Sequence, residues 1–528
     1  MFVPLTPLEF ERRAVKLYGE QIGVVDGERR FTYREFGERV SRLANALGNL
    51  GVCPGDRVAY LAYNCHQLLE GYYGVVAAGA VLQPLNIRLT PEELTYILNH
   101  SEAKVLFLDT DFLPLYQRMQ PSLQTVRDVV LLEGELPTGF VGHSYEGLLA
   151  AAQPVRPDLA IDENAMAELF YTSGSTGTPK GVMMTHRNLY LHAMYCQAAF
   201  QFTDRSVLLH VVPLFHVNGW GAPHYLTMTG GRHVMLRKFD PATICRLIQN
   251  EKVTFFGGVP TMFNALLAFP DLDQYDLSSL QRVVIGGAPS SPLLIEAIEK
   301  RLKCEAFTGY GLTETCPVLT AATGKITLGE ESDAARYRRQ ATTGLPVAGV
   351  ELRVVDADGH DVPANNETIG EIVARSNVVM AGYYRDPEAT AAVIVDGWFH
   401  TGDMAVVDPE GYVTIVDRKK DIIISGGENI SSIEVETVLS AHPSVYECAV
   451  VAVPDPQWGE VPKAFVALKP GQSATTEDLI THCRAHLAGF KTPKTIEFRD
   501  SLPKGGTGKI LKKDLREPYW QGSEKRVH

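Results

Sequence analysis

The chain has 528 residues, 45% of them hydrophobic and 21% charged, with a net charge of −13. That length exceeds one ordinary core and predicts about three or four structural units, in a composition typical of globular proteins. The acidic balance argues against a nucleic-acid partner, because no basic surface dominates. The start, MFVPLTPLEFERRAVK, has no basic segment followed by an apolar one, so no secretory signal is read and a cytoplasmic location is expected. Next, FTYREFGERVSRLANALGNLG carries apolar residues at helical spacing and ends on Gly51, a fitting helix stop. RVAYLAY and AKVLFLD read as buried strands. The most apolar stretch, Tyr72 to Leu82, is shorter than the ~20 residues that span a bilayer, so no integral membrane segment is predicted. It reads instead as a buried helix with small residues on a packing face.

Further along, VTFFGGVP, SLQRVVIGGAP and CEAFTGYGLTET repeat a strand–loop–helix rhythm, which implies an α/β fold with mainly parallel sheets covered by helices. From about 340 to 416 the texture changes to short strands with Gly, Pro and Asp turns (ELRVVDADGH, GEIVARS, GYVTIVD), which reads as a small barrel-like antiparallel β subdomain. After Asp417 a helix, a strand and a helical pattern over 477–488 suggest a compact C-terminal α+β domain. From Asp417 on, basic and acidic residues balance, 16 against 15, so the excess acid lies before it. The clusters DRKKD and LPKGGTGKILKKDLR could meet an anionic ligand or be solvated surface. The eight cysteines, 53, 65, 196, 245, 304, 316, 448 and 483, show no C-x-x-C, and read as reduced packing residues.

Residues 171–181, YTSGSTGTPKG, follow the strand-like AELFY and precede a helical pattern from near Thr185. Small residues here can turn N–H groups and hydroxyls onto phosphate oxygens while a lysine neutralises charge, or the stretch is a structural turn. It is not the P-loop, because G-x-x-x-x-G-K-S/T fails at Gly174 and Gly177. Nor does GYGLTE complete G-x-G-x-x-G, since Glu314 takes the last glycine's place.

Five motifs in order, YTSGSTGTPKG (171–181), GYGLTET (309–315), GWFHTGD (397–403), DRKKDIIISGGE (417–428) and PKGGTGK (503–509), resemble the ANL superfamily of adenylate-forming enzymes, specifically its acyl-CoA synthetases. The resemblance runs from about residue 8 to the end. It implies an AMP-binding N-terminal domain over 1–416, a hinge at 417–420 and a mobile C-terminal domain over 421–528. The implied activity joins a carboxylic acid to CoA through an acyl-adenylate, with ATP and CoA as co-substrates and Mg²⁺ on the phosphates. Its partners are small molecules, and many relatives are homodimers.

By this resemblance Thr172, Ser173, Gly174, Ser175, Thr176 and Gly177 cradle the phosphates, and Lys180 supports them. Thr172 and Glu314 resemble the Mg²⁺ ligands, hard oxygens for a hard cation. Tyr310, within Gly309, Gly311 and Thr313, matches the ring that lies against adenine. Gly286, Gly287 and Ala288 match the segment on the other side of the base. Asp403 and Arg418 match residues that hold the ribose hydroxyls. Lys509 matches the catalytic lysine, which moves in for adenylation and out for thioester formation about a hinge at Lys420. Gly426 and Gly427 match the border of the pantetheine channel. Ile424 departs from the pattern, standing where many relatives have lysine. In VVPLFHVNGWG, His216 stands where amino-acid-activating relatives have aspartate, which argues against an amino-acid substrate. His216 resembles an aromatic platform near the carboxylate, and Trp220 the residue that gates the acyl tunnel. These features imply a medium- or long-chain fatty acid. Aryl, branched or methylthio acids, or a separate carrier protein as acyl acceptor, are alternatives. Chain length is not legible, because an apolar pocket discriminates by only about 1–3 kcal/mol per methylene.

Overall fold

In the computed structural model, residues 1–173, 179–426, 428–504 and 510–520 are described. Two large sheets form the N-terminal region. One sheet is eight-stranded among the described residues. Its strands Arg57–Leu61, Val81–Pro84, Val105–Leu108 and Asp128–Leu131 pair in parallel, each flanked by helices that bury both faces. Beside Val81–Pro84 comes Met166–Ser173, then antiparallel Pro179–Thr185 and Gly382–Tyr383. The second sheet is nine-stranded among the described residues, with parallel Val207–His210, Phe255–Gly258, Arg282–Ile285 and Glu305–Tyr310 in its middle. A continuous apolar core joins the two: Val24 and Met235 of the second sheet share it with Val58, Phe107 and Phe170 of the first.

The buried helix His66–Ala77 runs through that core with every residue enclosed. Gly74 lets it approach its neighbour, since a Cβ there would stand 2.6 Å from Cδ2 of Leu43. The sequence expectation of one helix over Tyr72–Leu82 is corrected here. The helix stops at Ala77, Gly79 turns the chain at φ +76°, and Val81 and Leu82 open a strand. A short apolar run cannot by itself separate buried helix from buried strand.

The expected antiparallel subdomain is present: Val350–Val355, Gly370–Ser376, Trp398–Val407 and Val413–Arg418 pair in register. Its last strand takes in Asp417 and Arg418, the first two positions of the expected hinge. Beyond it, Ile423–Ser425, Glu428–Ile430, Val445–Asp455, Gly459–Leu468 and Thr495–Phe498 form a separate mixed sheet. Helices Ser432–Ser440, Thr476–His486 and Lys512–Trp520 complete that domain, which has its own core around Val435, Leu439 and Leu479. All eight cysteines are free, and only Cys53 is exposed. No helix among the described residues is long and apolar enough to cross a membrane.

Candidate active site

Met166–Ser173 and Pro179–Thr185 form a hairpin whose ladder sets Thr172 opposite Lys180 and Ser173 opposite Pro179. The strand after the loop was not read from sequence. The helix beyond it, His186–Phe200, begins as expected, with Thr185 closing a capping box onto Asn188. Gly174, Ser175, Thr176 and Gly177 lie outside the described residues, as do Gly427 and Lys509.

The hairpin brings Lys180 to a tyrosine that sequence reasoning missed. Lys180 Nζ stands 5.1 Å from the ring centroid of Tyr383 and 3.8 Å from the Asp386 carboxylate. Tyr383 is held by its ladder pairing with Val182 and donates its hydroxyl to Glu314 Oε1 at 2.8 Å. Burial and then the Glu314 charge hold the Tyr383 hydroxyl well above its ordinary pKa, so it remains a donor. Met380 N–H donates to the Glu314 carbonyl at 2.8 Å and fixes the backbone there. The tandem tyrosines of AGYYRDP carry no local signal of this contact, because the partner is far away in sequence.

A second chain of contacts gathers the residues expected to hold the nucleoside. Tyr310, at the end of Glu305–Tyr310, donates its hydroxyl to Asp403 Oδ2 at 2.6 Å. The other oxygen, Oδ1, stands 2.7 Å from Arg418 Nε across the ladder that pairs the two residues. Burial works against the Arg418 charge, yet the Asp403 charge raises its pKa overall. For Tyr310, burial and then the same carboxylate push the hydroxyl well above its usual range. Gly311 has a steric reason to be glycine: a Cβ would fall 1.3 Å from the Pro317 carbonyl oxygen.

Of the residues expected on the acyl side, Trp220 adjoins the glycines expected beside the base. Trp220 lays its indole on two glycines, so that a Cβ at Gly286 would be 2.9 Å from its Cη2 and one at Gly257 3.0 Å from its Cζ3. Gly286 and Gly287 follow the strand Arg282–Ile285, with Ala288 exposed beyond them. His216 is half-buried at the start of the turn that carries Trp220.

At the domain junction, Lys420 offers its carbonyl to Arg516 Nη1 at 3.1 Å, and Arg516 also pairs with Asp421. Asp417 is buried and accepts the Ser432 N–H at 2.6 Å, while Ser431 donates to the Val416 carbonyl. Gly426, at φ +62°, donates to the Trp458 carbonyl at 2.8 Å, and a Cβ there would meet Cε3 of that indole at 2.7 Å. Trp458, 45% exposed, is a second residue that sequence reasoning did not single out. Ile424 lies in a strand, its N–H held by Glu460 at 3.0 Å.

The family description "AMP-binding enzyme" matches residues 10–384, and "AMP-binding enzyme C-terminal domain" matches 434–509. The chain is 41% identical to a long-chain-fatty-acid–CoA ligase of Thermus thermophilus, over 97% of this chain and 95% of that one. It is 39% identical to a butyrate–CoA ligase of Arabidopsis thaliana, over 98% of this chain and 93% of that one. Among solved structures, an anthranilate CoA ligase in complex with anthranoyl-AMP superposes with a TM-score of 0.89 at 28% identity, covering 98% of each chain.

Proposed function

Since the chain belongs to the AMP-binding enzymes, as an acid–CoA ligase of the ANL superfamily, we propose that it activates a medium- or long-chain fatty acid as acyl-AMP and then passes the acyl group to CoA. The observation that carries the fatty-acid reading is the Trp220 indole wedged against Gly257 and Gly286, a large apolar ring at the edge of the adenine subsite.

In the first step a carboxylate oxygen attacks the α-phosphorus of ATP, the bond to the bridging oxygen breaks, and pyrophosphate leaves. Two anions must meet, so positive charge and alignment do most of the work. Lys180, steadied over Tyr383 and beside Asp386, supplies one cation at the hairpin. Lys509 supplies the other, by the resemblance of PKGGTGK. Tyr310 gives the adenine a flat face. Asp403, oriented by the Tyr310 hydroxyl and Arg418, accepts ribose hydroxyls. Thr172 and Glu314 are hard oxygen donors suited to Mg²⁺. Tyr383 takes Oε1 of Glu314, and Oε2 has no hydrogen-bond donor among the described residues, which leaves an oxygen for the cation. Bound there, the cation would neutralise phosphate charge.

In the second step the CoA sulfur attacks the acyl carbon, the C–O bond to phosphate breaks, and AMP leaves. Gly426, with Trp458 over it, supports a narrow entrance for the pantetheine arm. The turn at Lys420 serves as the pivot between the steps.

An aryl acid is the second reading, favoured by the half-buried His216 ring beside the acyl side. The fold shared with the anthranilate ligase supports it as well. Pyrophosphate release measured over C2–C18, branched, methylthio and aryl acids separates the two, with CoA and a carrier protein compared as acceptors. The highest kcat/KM at C8 or longer is expected, and a preference for aryl acids would reverse the order of the readings.

A further inference from the structure

Between the nucleotide strand and the acyl turn lies a buried polar cluster that the two-step reaction does not use. Glu168 belongs to Met166–Ser173, the strand that ends at the phosphate loop, and its side chain is fully enclosed. Its Oε1 meets Nε2 of His224 at 2.7 Å, and its Oε2 accepts from Asn218 Nδ2 at 3.3 Å. His224 and Asn218 are equally buried. The rings of Tyr72 and Tyr73 stand nearly perpendicular to that of His224, with centroids 5.7 and 5.8 Å away, and the two tyrosines donate their hydroxyls to the Leu214 and Pro223 carbonyls.

Asn218 sits inside an unusual backbone. Val217, Asn218, Gly219, Trp220 and Gly221 all have positive φ, at 34°, 46°, 52°, 60° and 84°. L-residues resist a left-handed run, so the turn needs support from outside itself. Gly221 rests on His192, where a Cβ would stand 2.3 Å from Cε1 of the imidazole, and Leu214 N–H is held by Asn64 at 2.7 Å. Only Glu168 reaches the side chain of a residue within the run by a hydrogen bond among the described residues. A buried polar pair of this kind is a poor device for stability, since well-packed apolar residues do as well. This one also leaves His224 Nδ1 and Asn218 Oδ1 without partners among the described residues. Its value is geometric.

We propose that Glu168 and His224 are positioning residues of the acyl pocket: their buried pair holds Asn218, and through it the left-handed turn that sets the Trp220 indole. The inference rests on Trp220 walling the acyl pocket, and the test separates the two ideas. The full-length enzyme is assayed over a C4–C16 acid panel as Trp220→Ala, Glu168→Ala, Glu168→Gln, Asn218→Gly and Glu168→Ala/Trp220→Ala. Glu168→Ala is expected to shift the chain-length profile in the direction of Trp220→Ala, changing kcat/KM for at least one acid by about fivefold or more, with the KM for ATP within about twofold. Glu168→Gln, which keeps an acceptor, restores the profile. In the Trp220→Ala background, loss of Glu168 adds no further shift. Asn218→Gly cuts the same link while suiting the backbone, so it reports even where Glu168→Ala fails to fold. A changed profile in Trp220→Ala beside parent-like profiles in Glu168→Ala and Asn218→Gly overturns the inference alone. An additive shift in the double variant does the same. An unchanged profile in Trp220→Ala overturns the acyl-pocket reading and the inference with it.

Discussion

Tyr383→Phe isolates one hydroxyl from everything around it. The phenylalanine ring keeps its place under Lys180 at 5.1 Å, and the ladder pairing with Val182 is made by backbone atoms alone. What disappears is the 2.8 Å donation to Glu314 Oε1. A hydrogen bond to a charged group contributes about 1.5–3 kcal/mol, and at about 1.4 kcal/mol per decade that corresponds to roughly ten- to a hundredfold. Both side chains are only partly buried, so water replaces some of the lost donor and the lower figure applies. The expected outcome is a fall of about tenfold in kcat/KM for ATP–pyrophosphate exchange, together with a rise in the Mg²⁺ concentration needed for half-maximal rate. Conversion of supplied acyl-adenylate and CoA to thioester should be unaffected, because Glu314 is assigned no part in that step. If exchange and Mg²⁺ dependence stay within about twofold of the parent, Tyr383 does not orient a metal ligand and the link from Lys180 to Glu314 has no catalytic meaning.

Lys509→Ala should abolish ATP–pyrophosphate exchange while leaving thioester formation from acyl-adenylate, and Gly427→Leu should show the reverse. Equal loss of both half-reactions in either variant contradicts a swivel at Lys420. Gly311→Ala places a methyl 1.3 Å from the Pro317 carbonyl oxygen, so thermal unfolding should report a loss of about 3 kcal/mol or more. An unchanged melting temperature would show that the backbone there yields freely. Burial lowers the pKa of His192 and His210 from 6.5 to about 3, so both fold as neutral rings. Their folded values lie below the unfolded one, so their contribution is complete above about pH 6.5 and is lost as pH falls, by up to about 1.4 kcal/mol per pH unit for each ring. Melting temperature should therefore decline from about pH 6.5 to 5, before most carboxylates titrate, and less steeply in His210→Gln. A flat profile would show that these rings accept protons in place.

How far the sequence could be read depended on whether a signal was local. Thr185 announces its helix because the cap and its partner Asn188 lie in one turn, and Gly51 ends another at φ +75°. The order of motifs led Tyr310, Asp403 and Arg418 to be expected side by side, and they meet as a bonded chain. The run from Tyr72 to Leu82 failed because period alone does not decide between helix and strand when both are wholly buried. Tyr383, Trp458 and Glu168 were missed for a different reason. Each touches a residue far away in sequence: Tyr383 meets Glu314, Trp458 lies over Gly426, and Glu168 accepts from Asn218. Glu168 is the sharpest case. In AELFYT it stands in an apolar strand where a carboxylate breaks the pattern, and a broken pattern in a core marks either a partner or a function. Structure supplies the partners, His224 and Asn218, and they lead to the left-handed turn that carries Trp220. Local rules are therefore violated together, a buried polar pair and a left-handed turn, at a place where neither is explained alone. A site that sets which acid fits would need that kind of rigidity, since an apolar wall displaced by an ångström fits a different chain.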